Sequence, residues 1–270
     1  MVKKKNRLFK VHRTLWTCGV FFEFFQKNSG CILPENVIYY TRMSTHAERE
    51  KESLMKRITL ITGHYGSGKT NFAVNLALQQ AAAGKRVTIV DLDIVNPYFR
   101  TADFADLFAE NGIQLEKTLY ANTSLDIPAI SFDLARMAYE ADCLIIDVGG
   151  DDAGAVALGR YAEMLQSYQT ELDMWYVVNR YRYLTAKPEE ALTLLYEIEQ
   201  AARLHHTGIV NNSNLGIETT AELVMEAVPY AKTIAETSGL PLICTAYRAD
   251  LPVQVEHGFP VQVYVKPVWE

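Results

Sequence analysis

One stretch restricts the fold of this chain more than any other. Ile58-Thr59-Leu60-Ile61-Thr62 is apolar and β-branched, and Gly63-His64-Tyr65-Gly66-Ser67-Gly68-Lys69-Thr70 follows at once. The segment 70–83 then sets Phe72, Ala73, Leu76 and Ala77 on one helical face. A strand that passes through a glycine-rich turn into an amphipathic helix points to an α/β architecture. The pattern Gly63-x-x-x-x-Gly68-Lys69-Thr70 arises by accident in about one chain of this length in a hundred, and the strand before it and helix after it are the context its chemistry requires.

That chemistry is anion binding. Glycines let the backbone wrap around a phosphate with no Cβ in the way, so the N–H groups from Gly66 to Thr70 can point inward. The positive end of the following helix adds to the same place. Lys69 can reach β- and γ-phosphates as a point charge, and the Thr70 hydroxyl is placed to ligate Mg²⁺. The expected binding segment is therefore Gly63, His64, Tyr65, Gly66, Ser67, Gly68, Lys69, Thr70 and Asn71, with Lys69 acting in catalysis as well. The alternative is a glycine-rich turn that holds no ligand.

Beyond the loop, β-branched runs alternate with helical segments in the order that produces a parallel sheet covered on both faces. The strands expected are 57–62, 86–90, 115–120, 144–148, 174–178, 208–210 and 240–245, with helices near 70–83, 101–111, 131–140, 153–169, 188–205 and 219–238. The fold class read from this order is a three-layer α/β fold with a mostly parallel β-sheet. Residues 1–54 show no convincing period and are set off by the polar run Ser44 to Ser53, so they read as an extension that is disordered or a mis-assigned start, with Met55 opening a nucleotide-binding domain over 55–270.

Two acidic strand ends supply further candidates. Asp91 and Asp93 follow the second strand, at the sheet edge where open α/β proteins bind ligands. Asp93 lies further into the loop and is the better candidate to orient an attacking water or hold the metal's water shell, whereas Asp91 serves equally well as a loop cap. In Leu144-Ile145-Ile146-Asp147-Val148-Gly149-Gly150, Asp147 is expected to bind Mg²⁺ through water and Gly150 to offer its N–H to a γ-phosphate and act as a hinge. The metal set is thus Thr70, Asp93 and Asp147. Asp151 and Asp152 read as caps of the helix near Ala153.

The base is read from Asn211-Asn212-Ser213-Asn214, after the strand Gly208-Ile209-Val210. Guanine is recognised by an aspartate that accepts from its two N–H groups. Here Asn214 stands in that place, which favours adenine, with Asn211 as the best base contact and Asn179 as a weaker competitor. A polar turn with no base contact is the other reading.

Composition narrows the remaining classes. A net charge of −6 and a pI near 5.6 argue against a surface built to neutralise nucleic acid or anionic lipid along its length. Cys18, Cys31, Cys143 and Cys244 form no C-x-C or C-x-x-C pair, which fits a reducing cytoplasm. The basic stretch Lys3 to Arg13 and apolar stretch Leu15 to Phe25 imitate a signal peptide, but Glu23 interrupts the apolar part. His205 and His206 diverge by about 100° on a helix and read as surface or helix-end residues rather than a metal pair. Arg180-Tyr181-Arg182-Tyr183 lies on the ligand edge, either meeting phosphate or a second substrate or standing as a solvated loop. Arg100, after Asn96-Pro97-Tyr98-Phe99, is similarly placed.

Together, the phosphate loop, the Asp-x-Asp, the Ile-Ile-Asp-x-Gly-Gly strand end and the late asparagines resemble the MinD/ParA and CobQ/CobB branch of P-loop NTPases, over residues 55 to about 245. The resemblance implies a mostly parallel sheet of about seven strands, ATP hydrolysis with Mg²⁺ and often a nucleotide-dependent homodimer. Two departures stand out. His64 replaces the second lysine that reaches a partner's nucleotide in MinD/ParA ATPases, and the C-terminal Val261 to Glu270 alternates like a strand rather than forming a membrane-binding helix. The expected activity is an ATPase switch acting on an unknown protein partner. The alternative is an ATP-dependent small-molecule ligase or kinase of the CobB or dethiobiotin-synthetase kind.

Overall fold

The computed structural model describes residues 55–93, 100–117, 133–150 and 152–265. The readings of residues 1–54, of Asn96 to Phe99 and of Asp151 lie outside them. Eight strands form one sheet in the order β3-β2-β4-β1-β5-β6-β7-β8, and every pairing is parallel. They are β1 (Ile58–Thr62), β2 (Val87–Leu92), β3 (Gln114–Lys117), β4 (Cys143–Val148), β5 (Leu172–Val178), β6 (Gly208–Asn211), β7 (Leu242–Arg248) and β8 (Gly258–Val261).

The helices are α1 (Lys69–Ala82), α2 (Ala105–Glu110), α3 (Leu134–Glu140), α4 (Asp152–Gly159), α5 (Ala162–Ser167), α6 (Pro188–Ala202) and α7 (Ala221–Ser238). Short 3₁₀ turns occupy Thr101–Phe104 and Gly216–Glu218.

Strands β1, β2, β4 and β5 are buried along their whole length, which is why they read as continuous apolar runs. Alternate residues face opposite ways. Ile61, Ile89, Ile145, Trp175 and Val177 pack with Phe72, Ala73, Leu76 and Ala77 of α1 and with Phe108 of α2. Ile58, Leu60, Val90, Leu144 and Ile146 pack with Leu134, Met137, Leu158 and Leu165 of α3, α4 and α5. Tyr176, Val178 and Ile209 meet α6 and α7 through Leu192, Leu195, Ala231 and Ile234.

Several expected elements changed. The helix read over 153–169 is two, because Arg160 and Tyr161 turn back on Ala157 and Leu158 at hydrogen-bonding distances of 3.2 and 2.9 Å. The helix read to 205 ends at Ala202, since Arg203 adopts φ 56° and reverses the chain. His206 is thereby turned inward, a correction to its expected surface position. Its side chain is fully buried, with Nε2 2.8 Å from Thr62 Oγ1 and Nδ1 3.2 Å from Glu199 Oε1. His205 remains exposed. Strand β8 was not expected as an element of its own; it adds to the edge beside β7.

The chain after β8 is tied to α1 by two asparagines one turn apart. Asn75 takes the Gln262 N–H at 2.8 Å and donates to the Gln262 carbonyl at 2.8 Å. Asn71 accepts from Tyr264 N at 2.8 Å and donates to the same Gln262 carbonyl at 3.0 Å. Two amide side chains thus act as a strand partner for this segment. Asn75→Leu leaves that pair unsatisfied, and urea denaturation is expected to show a loss of about 2 kcal/mol.

Candidate functional site

The chain reverses its direction across the sheet at β1, whose neighbours are β4 and β5, so the crevice at its carboxyl end is where an open α/β sheet accepts a ligand. The loop Gly63 to Gly68 lies there. Gly63, Gly66 and Gly68 have φ of 143°, 75° and 84°, conformations that disfavour any side chain. A Cβ on Gly63 would also collide with the Val177 carbonyl of β5. Gly68 is the N-cap of α1, it carries no side-chain acceptor, and the first turn has no acidic residue. Its opening N–H groups therefore have no side-chain anion from that turn beside them, which is the arrangement of an anion site.

Lys69 is 7% exposed, and its Nζ donates to the His64 carbonyl at 3.2 Å. A Cβ on Gly150 would lie 2.6 Å from that Nζ and 2.8 Å from the Tyr65 nitrogen, so this glycine admits the ammonium and the loop together. Gly149 is pressed on by Gly154 of α4, where a Cβ would collide with the Gly149 carbonyl. His64, at the position of the absent second lysine, has its pKa lowered by burial and by the Lys69 charge, which keeps its ring neutral at neutral pH.

Sheet register brings the acidic residues together, because Asp147 pairs with both Ile61 and Asp91. The Asp147 Oδ2 accepts from Thr70 Oγ1 at 2.7 Å and from Thr101 Oγ1 at 2.6 Å. Its Oδ1 is buried and has no hydrogen-bond partner among the described residues. A carboxylate oxygen held next to the Thr70 hydroxyl with an open coordination direction suits a hard divalent cation.

Burial pushes the Asp147 carboxyl up to about 6; the Thr101 hydroxyl and the Lys69 charge oppose the rise, and neighbouring Asp91 adds to it. Between its ordinary 3.8 and about 6, the folded protein holds a proton that the unfolded chain has lost. Stability from this group is accordingly greatest at low pH and declines as pH rises through about 6. Asp147→Asn is expected to raise the unfolding temperature of the ligand-free protein by about 4 °C at neutral pH. The gain should vanish near the ordinary carboxylate range, in thermal denaturation followed across pH.

Asp91 is completely buried and acts as a structural clamp. Its carboxylate takes the N–H groups of Asp93 and Ala102, each at 3.0 Å, and lies 3.4 Å from Arg100 Nε. Burial raises its pKa against the Arg100 charge and those two N–H groups. Arg100 donates in turn to the Asp93 carbonyl, so it sits behind the site and shapes the loop bearing Asp93. The Asp93 side chain lies against Gly149, where a Cβ would be 3.1 Å from its Oδ1. Asp152 is an exposed member of the first turn of α4.

The asparagines are turned to internal work. Asn211 is 1% exposed; its Nδ2 lies 3.4 Å from Thr245 Oγ1, and its Oδ1 accepts from Ser213 N at 3.2 Å. Asn179 is fully buried and pins both loops, taking Tyr181 N at 3.0 Å and Asn214 N at 3.2 Å. The Asn71 amide faces the C-terminal segment. Sequence reading gave no role of their own to Thr101, which donates to Asp147, or Asn212, which donates to the phosphate loop, and named Arg182 only within a four-residue loop on the ligand edge. Arg182 carried a signal, its place on the ligand edge, and Asn212 stood within the asparagine run; Thr101 carried none beyond following Arg100.

Among the described residues no helix is long and apolar enough to cross a membrane. The solved structures that the fold resembles include FtsY of Mycoplasma mycoides, 19% identical over 70% of this chain and 59% of that one, with a TM-score of 0.50. The cell division protein FtsY of Thermotoga maritima is 18% identical over 72% and 62% of the two chains, with a TM-score of 0.48. At such identities the first likeness speaks to fold alone. In sequence, the chain is 29% identical over 113 residues to the tyrosine-protein kinase YwqD of Bacillus subtilis (strain 168), covering 37% of this chain and 46% of that protein. The chain therefore spans less than two thirds of these proteins.

The model of the CobQ/CobB/MinD/ParA nucleotide binding domain matches residues 58–237, from β1 to the last turn of α7. That span contains the glycine loop, the buried lysine and both acidic strand ends, so the chain belongs to the CobQ/CobB/MinD/ParA nucleotide-binding family.

Proposed function

We propose that this protein binds Mg²⁺ and ATP, hydrolyses the nucleotide, and uses the ATP and ADP states as a switch on a protein partner in the cytoplasm. The observation that carries the reading is the buried Asp147 Oδ1 beside Thr70, which has no hydrogen-bond partner among the described residues, within a site whose lysine and glycine loop suit a polyphosphate. Thr70 and Asp147 are the groups that would hold Mg²⁺, with Asp93 on its water shell. The bound cation would neutralise phosphate charge. Main-chain N–H groups of Gly66, Gly68, Lys69 and Thr70 and the Lys69 ammonium bind and orient the phosphates, whereas the Ser67 N–H is taken by the His64 carbonyl. Asp93 orients the water and accepts its proton, and Gly150 carries the movement that follows loss of the γ-phosphate.

Adenine is the base assigned, because every polar residue from Asn211 to Asn214 is an amide or hydroxyl and none offers the paired acceptor of a carboxylate. Asn211 has one amide hydrogen beyond its long contact to Thr245, and that hydrogen is assigned to the base. Calorimetry with Mg²⁺ is expected to give at least about tenfold tighter binding of ATP than of GTP. Equal affinities would remove the base assignment, and no heat with either nucleotide would remove the whole reading.

A phosphotransfer enzyme is the second reading, favoured by the exposed Tyr65 and Tyr183 around the loop and by the likeness to a tyrosine-protein kinase. Steady ATP turnover that requires an added metabolite supports transfer, whereas dependence on an added protein supports the switch. With His64 at the second-lysine position, a homodimer would not use that lysine route. Sedimentation with ATP against ADP tests whether the protein dimerises at all.

A further inference from the structure

Two successive carbonyls of the phosphate loop point away from the cradle, and each is caught by a side chain from a neighbouring strand end. Arg182, after β5, donates from Nε to the Gly66 carbonyl at 2.9 Å. Asn212, after β6, donates from Nδ2 to the Ser67 carbonyl at 2.8 Å. A peptide unit is planar and trans, so holding one carbonyl outward turns the next N–H the opposite way. The Asn212 contact therefore aims the Gly68 N–H into the cradle. The Arg182 contact aligns the Ser67 N–H, which closes the loop on the His64 carbonyl at 3.1 Å.

Both anchors are firmly built. Asn212 is 6% exposed, and its own N–H donates to the Val178 carbonyl at 2.8 Å. A Cβ on Gly68 would collide with its amide, so this glycine is needed for the contact as well as for its φ. Arg182 belongs to a loop fixed from several sides: Arg180 N donates to Ser213 Oγ at 3.0 Å, Thr185 Oγ1 to the Asn179 carbonyl at 2.7 Å, and Tyr230 Oη to the Thr185 carbonyl at 2.5 Å. Within it Leu184 sits at φ 70°, a strained conformation that persists only where the surroundings impose it.

We propose that Arg182 and Asn212 are positioning residues that preset the phosphate loop through its main-chain carbonyls, without touching the nucleotide. The inference rests on the reading of this loop as a triphosphate site. The donor on Arg182 is Nε, so side chains of the same length separate this role from a direct charge contact by the terminal guanidinium nitrogens. Glutamine places a neutral N–H donor the same number of bonds from Cα, and methionine matches that length with no donor.

The experiment is calorimetry of Mg²⁺ with ATP on the full chain and its Arg182→Gln and Arg182→Met variants, with thermal unfolding of each without nucleotide. Arg182 is exposed, so all three proteins are expected to unfold within about 2 °C of one another. Arg182→Met is expected to bind about tenfold more weakly, and Arg182→Gln within about threefold of the parent. Asn212→Leu, which removes the second anchor, should show a loss of the same order as Arg182→Met and reads the proposal independently. Equal losses in the Gln and Met variants would show that charge on the nucleotide, not the carbonyl, is what matters, and overturn the proposal. Full affinity in Arg182→Met would overturn it too. If the parent itself gives no heat, the triphosphate reading fails, and this inference fails with it.

Discussion

Lys69→Ala is expected to weaken binding of ATP with Mg²⁺ by on the order of 100-fold, about 3 kcal/mol. Lys69 is 7% exposed, and its ammonium is enclosed between the His64 carbonyl and the space over Gly150. Its charge also acts on Asp147, whose pKa it lowers against burial. A polyphosphate would bring several negative oxygens to the same place, so removing the ammonium takes away an attraction that is largest with ligand bound. Calorimetry reads the effect, with thermal unfolding of the same preparation to show that the variant is folded; retained affinity would sink the placement of the phosphates.

Asp93→Ala is expected to leave the dissociation constant for ATP within about threefold and to slow steady hydrolysis by a factor of about 100 to 1,000, the range for a positioned proton acceptor. Its main chain is held from behind, with Asp91 accepting from its N–H and Arg100 donating to its carbonyl, and the substitution leaves both of those contacts in place. The carboxylate faces the Gly149-Gly150 pair that follows Asp147, the place where a γ-phosphate would end. Turnover equal to the parent would remove the assignment. A loss of Mg²⁺ dependence with unchanged maximal rate would move Asp93 from proton acceptor to the metal's water shell.

The phosphate loop was legible because its chemistry is local. Positive φ at Gly66 and Gly68, a lysine one residue on and a helix opening there need no distant partner to be recognised, and Thr70 donates to Asp147 at 2.7 Å. The sheet was legible for a related reason: strands buried on both faces must be apolar throughout, and β1, β2, β4 and β5 are. Less could be read where a side chain has several uses open to it. Asn211 and Asn71 are polar residues at the right edge, yet the Asn211 carbonyl accepts from Ser213 and one of its amide hydrogens goes to Thr245, and Asn71 reaches the chain after β8. Nothing in their identity distinguishes these destinations from a ligand.

What the residues settled without folding was therefore the periodic and the contiguous: strand and helix order, a glycine loop for phosphate and an apolar strand ending in aspartate. What tertiary structure decided was which groups, far apart in sequence, share one small volume. Packing buried Asp147 and so raised its proton affinity, with Asp91, set beside it by parallel register, adding to the rise; one αL residue, Arg203, carried His206 from a helix end into the core; and the ends of β5 and β6 brought Arg182 and Asn212 onto the carbonyls of the phosphate loop. Local propensity acts over a few residues, whereas hydrogen bonds and desolvation act through space, and only the packed sheet determines that distance.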